Sequence, residues 1–237
     1  MINLGKKLGF AALLALGVVS SAQSSVLDTF DYGFNVALAV GASSGDSDTS
    51  GVLTGVTDTT PAGDVVYTLT KTSDSDFGAT GGALFTSGLL YLFNDDGTSN
   101  LQLNYFDEVG GPVGGLDITD GGSSDQFYFD VEFIDLGFFL DLIVMDIDGG
   151  ISTLTFEQTE KVENSDPTKR IFASFASFTP GADFSKVATI TALIRSTVDG
   201  ADLKISEVGT TNIPEPTTVA IFGLALVGFA FSSRKKA

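Results

Sequence analysis

Residues 126–133 read Gln126-Phe127-Tyr128-Phe129-Asp130-Val131-Glu132-Phe133, an alternation of apolar and polar side chains with period two. Successive side chains of a β-strand point to opposite faces, so this pattern predicts a strand with one apolar face. Phe127, Phe129, Val131 and Phe133 share the face that must meet a core. Gln126, Tyr128, Asp130 and Glu132 share the face expected to meet solvent. A sheet with one apolar face needs a second layer to cover it.

Shorter runs of the same kind occur at 65–70, 101–105, 138–145, 151–156, 188–194 and 203–208. They are separated by Asn94-Asp95-Asp96-Gly97, Asp120-Gly121-Gly122, Asp148-Gly149-Gly150 and Asp199-Gly200. Gly, Asn and Asp tolerate positive φ and close their own turns, so these clusters predict chain reversals. Residues 145–153 read as a hairpin. Residues 171–178 carry Phe172, Phe175 and Phe178, a spacing open to one helical face or to an irregular strand, and their Ser content favours the strand. The segment 43–60, rich in Gly, Ser, Thr and Asp, reads as a long surface loop. No exact internal repeat is present, which argues against a solenoid or propeller. The fold class is therefore all-β, an antiparallel β-sandwich of jelly-roll type, with an up-and-down barrel as its competitor.

Both ends of the chain read as addresses. Lys6-Lys7, the apolar stretch 8–19 and the small residues Ser20-Ser21-Ala22 have the order of a secretory signal peptide. This predicts a signal helix over 1–22, cleavage by signal peptidase and a mature chain from Gln23. At the other end Pro214-Glu215-Pro216 precede the uncharged run 217–231, and Arg234-Lys235-Lys236 follow it. Fifteen apolar residues are a marginal span for a bilayer core of about 30 Å. Positive charge beyond such a run stays cytoplasmic, which places the body on the opposite side. The expected organisation is signal peptide 1–22, sandwich 23–212 and a C-terminal segment 213–237 with a short membrane helix.

The tail, in this order, resembles the PEP-CTERM sorting signal. The resemblance implies that Pro214, Glu215 and Pro216 are a recognition motif for an exosortase, a membrane-embedded cysteine peptidase. It further implies that the apolar run is a transient membrane segment and that Arg234, Lys235 and Lys236 form the retention cluster. Proteins with such a tail are exported across the inner membrane to the cell envelope or an extracellular matrix. A second resemblance rests on Phe172 to Phe178, Gly181-Ala182-Asp183-Phe184, Val187, Ile190 and Asp202-Leu203, with Val26-Leu27-Asp28-Thr29-Phe30 at the start. These stretches are similar to the closing and opening strands of jelly-roll domains, including carbohydrate-binding modules.

Composition narrows the chemistry. Of the 12 basic residues five lie in the two address segments, whereas all 30 acids lie within 23–216, a formal charge of −23 there. Such a surface repels phosphate backbones and excludes nucleic acid as a partner. The chain has no Cys and no His. Stability therefore rests on the core without disulfides, and Ser-His and Cys-His catalysis are excluded. The usual ligands of zinc, copper and haem are missing as well.

Hard cations remain. Asp46, Asp48, Ser50 and Gly51 match the first positions of a helix-loop-helix calcium loop, but Thr57 stands where a bidentate Glu is needed. Asp95 with Asp96 and Asp146 with Asp148 are further oxygen-rich turns, so Asp46, Asp48, Asp95, Asp96, Asp146 and Asp148 are the candidate ligands for structural Ca2+. Against this stands the ordinary use of Asp to close turns. For glycoside hydrolysis Asp130 and Glu132 sit at i and i+2, about 6.6–6.8 Å apart along a strand, with Asp141 and Asp146 farther on. In so acidic a chain such pairs also arise by chance, and no Trp is present as a sugar platform. Tyr128 and Asp130 on the outer face are the candidate glycan-binding residues. The sequence thus predicts an exported, non-enzymatic protein of the envelope or matrix, associated with exopolysaccharide or biofilm. A calcium-assisted carbohydrate-binding module is the alternative, and a carboxylate-based hydrolase comes last.

Overall fold

A computed structural model of the chain describes residues 24–41, 43–53, 63–74, 81–95, 97–106, 115–196 and 198–212. The strands among them, in chain order, are β1 (Ser24–Asp28), β2 (Val36–Val40), β3 (Ser47–Thr49), β4 (Val65–Lys71), β5 (Gly81–Thr86) and β6 (Leu89–Asn94). They continue with β7 (Ser99–Tyr105), β8 (Gln126–Ile134), β9 (Phe138–Asp146), β10 (Ile151–Gln158) and β11 (Lys169–Ser174). A single 3₁₀ turn at Phe175–Ser177 precedes β12 (Val187–Ser196) and β13 (Leu203–Thr211).

All pairings are antiparallel and sort into two sheets. The first runs β11-β8-β13-β6-β5-β2, with β1 also paired to β13; the second runs β10-β9-β12-β7-β4-β3. The period-two faces of the sequence explain why the sheets stack. Leu27, Phe127, Phe129, Ile205 and Val208 of the first sheet face Leu103, Leu142, Ile190, Ala192 and Ile194 of the second, around a void of only about 10 Å³. Each such side chain removed from water contributes about 1.5–3 kcal/mol. Residues Ser24–Asn212 form one compact unit around this core.

The predicted hairpin at 145–153 is present: β9 and β10 pair from Met145↔Ile151 to Phe138↔Gln158, and Gly149 takes φ +85° in the turn. The ambiguous stretch 171–178 divides, its first part pairing with β8 as β11 and its next three residues forming the 3₁₀ turn. The expected loop 43–60 contributes β3, which pairs with β4; residues 54–60 lie outside the described ones.

One expectation on β8 fails. Phe127, Phe129 and Val131 face the core, but Phe133 does not. The pairing steps from Lys204↔Phe133 to Ile205↔Val131, and the next pair is Glu207↔Asp130. Glu132 is thus an extra residue on β8, and Ser206 restores the register on β13. A bulge of this kind re-aims the next side chain. Phe133 therefore joins Lys204 on the outer face, and Ile134 takes the buried position at 1 % exposure.

The first strand is fixed by a buried carboxylate. Asp28 is 0 % exposed, and it accepts the Phe30 N–H at 2.7 Å, the Tyr32 hydroxyl at 2.8 Å and the Tyr67 hydroxyl at 2.8 Å. The Tyr32 and Tyr67 hydroxyls are also hydrogen-bonded to each other. Tyr67 stands on β4 of the second sheet and stacks on Phe85 of the first at 3.9 Å between centroids, so the cluster joins the layers. Burial pushes the Asp28 carboxyl up to about 6, against the hydrogen bonds from Phe30, Tyr32 and Tyr67, which pull it down.

An Asp in the unfolded chain titrates near 3.9, so the folded carboxyl holds its proton more tightly. The stability it contributes is complete below the unfolded value and is lost as pH rises through about 6. In urea unfolding, the free energy of Asp28→Asn minus that of the parent is expected to rise by about 2 kcal/mol between pH 4.5 and 8. A difference that stays flat over this range would mean that the carboxyl ionises as easily folded as unfolded.

Candidate functional site

The face expected to meet a glycan is built where β11 lies beside β8. Arg170 pairs with Asp130 and Phe172 with Tyr128. The Arg170 guanidinium donates to both Asp130 oxygens, at 2.7 and 2.6 Å, and lies 3.9 Å from the centre of the Tyr128 ring. The hydrogen bond it gives to Asp130, more than any other cause, raises the Arg170 pKa. On the other side Tyr128 meets Gly209, its partner on β13, where an added Cβ would stand 2.5 Å from the Tyr128 oxygen. The hydroxyl donates to Glu207 at 2.5 Å.

Tyr128 thus occupies the outer face, as the alternation requires, yet it is 0 % exposed. The expectation that its ring is open to a sugar is corrected: the ring face that would stack is taken by Arg170. Sequence spacing gives no sign of this, because Arg170 lies 40 residues from Asp130. Phe172, at 52 % exposure, is the aromatic that this corner shows to solvent.

The other carboxylates are held in place by nearby donors. Asp141 is gripped by Arg195 at 2.5 and 3.1 Å and by the Thr155 hydroxyl at 2.6 Å. The Arg195 hydrogen bond is the main reason its pKa is lowered. Asp146 accepts the N–H groups of Asp148 and Gly150 at 2.9 Å and of Asp183 at 2.8 Å. These bonds, Asp183 first, hold its pKa below the usual range. Asp148 forms an ion pair with Lys186.

Asp48 accepts the Ala39 N–H at 3.1 Å and the Thr49 N–H at 2.9 Å, one on each oxygen. Asp46 and Asp95 are exposed, and Asp96 lies outside the described residues. Among the described residues no three Asp or Glu side chains converge as a metal site would require. The Asp146 carboxylate closes its own turn, with Asp148 and Asp183 beside it around Lys186, and that of Asp48 ties β3 to Ala39 of β2.

The C-terminal address begins where the sandwich ends. Thr211, the last residue of β13, pairs with Gln126 of β8 and with Ser24 of β1, and its carbonyl accepts the Asp125 N–H at 3.0 Å. Pro214, Glu215, Pro216, Arg234, Lys235 and Lys236 lie outside the described residues, as do the apolar run 217–231 and the signal segment 1–22. Among the described residues no helix is long and apolar enough to cross a membrane.

Comparisons with known proteins bear on both parts. The solution structure of CtCBM11 aligns over 84 % of this chain and 100 % of its own, at 15 % identity and a TM-score of 0.39. The family 11 carbohydrate-binding module of cellulase Lic26A-Cel5E from Clostridium thermocellum aligns over 80 % and 95 %, at 15 % identity and a TM-score of 0.37. PfGH50B aligns over 54 % of this chain, which spans about a fifth of its length (21 %), at 12 % identity and a TM-score of 0.39. No curated protein sequence matches the chain significantly. Residues 212–235 match the family described as the PEP-CTERM protein-sorting motif, which takes in Pro214, Glu215, Pro216, Arg234 and Lys235. The chain carries a PEP-CTERM sorting motif on an antiparallel β-sandwich, and that motif marks it for export and processing by an exosortase.

Proposed function

We propose that this chain is a non-enzymatic structural protein of the cell envelope or extracellular matrix, at work among exopolysaccharide. The observation that carries the reading is the sorting motif at 212–235, which begins one residue beyond the last strand of the sandwich. An exosortase would recognise Pro214-Glu215-Pro216 while the apolar run holds the chain in the bilayer and Arg234–Lys236 stay in the cytoplasm. Cleavage would then free the acidic body on the far side.

The chemistry of the body supports a role without turnover. A general acid needs a raised pKa and access to substrate. Asp141 is held low by its arginine fork, and both oxygens of Asp130 are occupied by the Arg170 guanidinium. Burial raises two carboxyls: Asp28 is sealed beneath Tyr32 and Tyr67, and Asp202 is half-buried and engaged by the Asn94 N–H and the Tyr91 hydroxyl. No imidazole or thiol is available to take over.

Divalent cations act on this body as counterions of the whole −23 surface. Calcium prefers six to eight oxygens, whereas Asp48 and Asp146 give theirs to backbone N–H groups.

Three measurements test the reading. In the host, replacing Glu215 with Ala, or deleting 219–237, is expected to stop processing, seen as retention of the tail by mass or loss of envelope delivery. Unchanged processing and location in both variants would overturn the sorting role. The processed protein is expected to co-sediment saturably with the host's exopolysaccharide; free protein at every polysaccharide concentration would remove the matrix assignment. In thermal melts, Ca2+ and Mg2+ at equal concentration are expected to raise Tm equally, because screening does not distinguish them. A larger, saturating effect of Ca2+ would reveal a specific site.

A further inference from the structure

The bulge on β8 places Phe133 beside a built groove. Ile134 and Val162 exchange both backbone hydrogen bonds, at 2.8 and 2.9 Å, and so bring the segment that follows β10 alongside the end of β8. That segment is closed on itself: the Glu163 N–H donates to the Asp166 carboxylate at 3.0 Å, and the Asp166 N–H to the Glu163 carbonyl at 2.9 Å. Lys204 ties it down from β13 by donating to the Asn164 side chain at 3.1 Å. The same ammonium lies 5.4 Å from the centre of the Phe133 ring and 5.0 Å from that of Tyr91. The result is an open groove of about 330 Å³ with Phe133 against Asp135, Lys161, Glu163, Asn164 and Ser165. Small-molecule sites fall in the range of about 300–1,000 Å³.

The distribution of charge singles this groove out. Lys169, Arg170, Lys186 and Arg195 each pair with a carboxylate. Lys161 lines the groove and Lys204 ties down its wall, and neither has a carboxylate partner within 4.0 Å among the described residues. One ammonium, two carboxylates, an amide and a hydroxyl therefore line the groove beside one aromatic ring, with the Lys204 ammonium behind its wall. A neutral sugar fits this set. Its hydroxyls both donate and accept, as the mixed rim requires, and its C–H face can lie on the Phe133 ring. A polyanion meets the repulsive field of the whole body, and a lipid chain finds a single ring in an otherwise polar rim.

We propose that the Phe133 groove binds a neutral polysaccharide chain, an inference that rests on the reading of the protein as a component of a polysaccharide matrix. The test is calorimetric titration of the full-length chain, in detergent, with hexasaccharides of β-1,4-glucose, β-1,3-glucose and β-1,4-mannose, and with an oligogalacturonate. At least one neutral hexasaccharide is expected to bind and the oligogalacturonate to fail. Phe133→Ala is expected to weaken binding by roughly tenfold or more, the loss of one stacked ring. Lys161→Ala, at an exposed position away from the core, is expected to weaken it less with Tm unchanged. Binding that is unaltered in both variants, or tighter binding of the oligogalacturonate, would overturn the groove while leaving the matrix reading intact. The absence of binding to every hexasaccharide would also overturn it. Only failure of the host exopolysaccharide to bind the processed protein would remove the reading beneath it.

Discussion

Strand β13 has two edges to satisfy, and the first sheet is built around how it does so. Along one edge it pairs with β8 from Leu203 to Thr211. Along the other, β6 covers Leu203–Ile205 and β1 covers Val208–Thr211. A buried backbone N–H or C=O left without a partner costs as much as a lost hydrogen bond. Without β1, the last residues of β13 would lose one whole edge. The partners are the first and last of the described strands, so among these strands this pairing has the largest sequence separation and carries the largest loop-closure cost. The Asp28 cluster offsets part of that cost by tying β1 to Tyr67 in the opposite sheet. The sorting motif adjoins the strand whose pairing completes the body, so the sheet cannot close before the chain has been delivered almost to that motif.

With neither disulfides nor imidazoles, the protein manages a large negative charge by local means. Asp146, Asp48, Asp117 and Asp183 each accept backbone N–H groups within their own turns or from a neighbouring loop. Asp130 and Asp141 are held by arginines on the strands next to them. Exposed ion pairs contribute little to stability individually, about 0–1 kcal/mol. Their effect here is on position, since Arg170 holds Asp130 and closes the face of Tyr128 in one arrangement. The surface remains acidic while the carboxylates at its turns and sheet faces are fixed.

Legibility in the sequence followed the strength of alternation. Strands β4, β7, β9, β10 and β12 carry clear period-two runs between Asp/Gly turns, and each lies within a residue or two of its predicted bounds. Strands β2, β3, β5 and β6 did not stand out. β5 opens with Gly81-Gly82, β2 alternates Val and Leu with Ala, and β3 is three polar residues at a sheet edge. Their place in the sheets comes from their neighbours and not from a strong pattern of their own. The sorting motif at 212–235 was legible because it is a local run of sequence and needs no fold to be read. The face around Tyr128 was not, because the alternation gives the side a residue faces and says nothing of what a strand 40 residues away lays over it.

The bulge at Glu132 shows the same limit in its sharpest form. In sequence Phe133 continues the inward series of Phe127, Phe129 and Val131, and any period-two reading sends it to the core. One inserted residue reverses every later position on the strand. The insertion is tolerated because Ser206 compensates for it on β13, so the pairs beyond Glu207 fall back into register. Ile134 then fills the core position, and its backbone bonds to Val162 draw the wall of the groove into place. A Phe turned outward would be an exposed apolar liability, yet here it is flanked by the Lys204 ammonium and the polar segment after Val162. The residue that the alternation assigns to the interior is the one that the paired bulges present at the surface, within a rim that can bind through it.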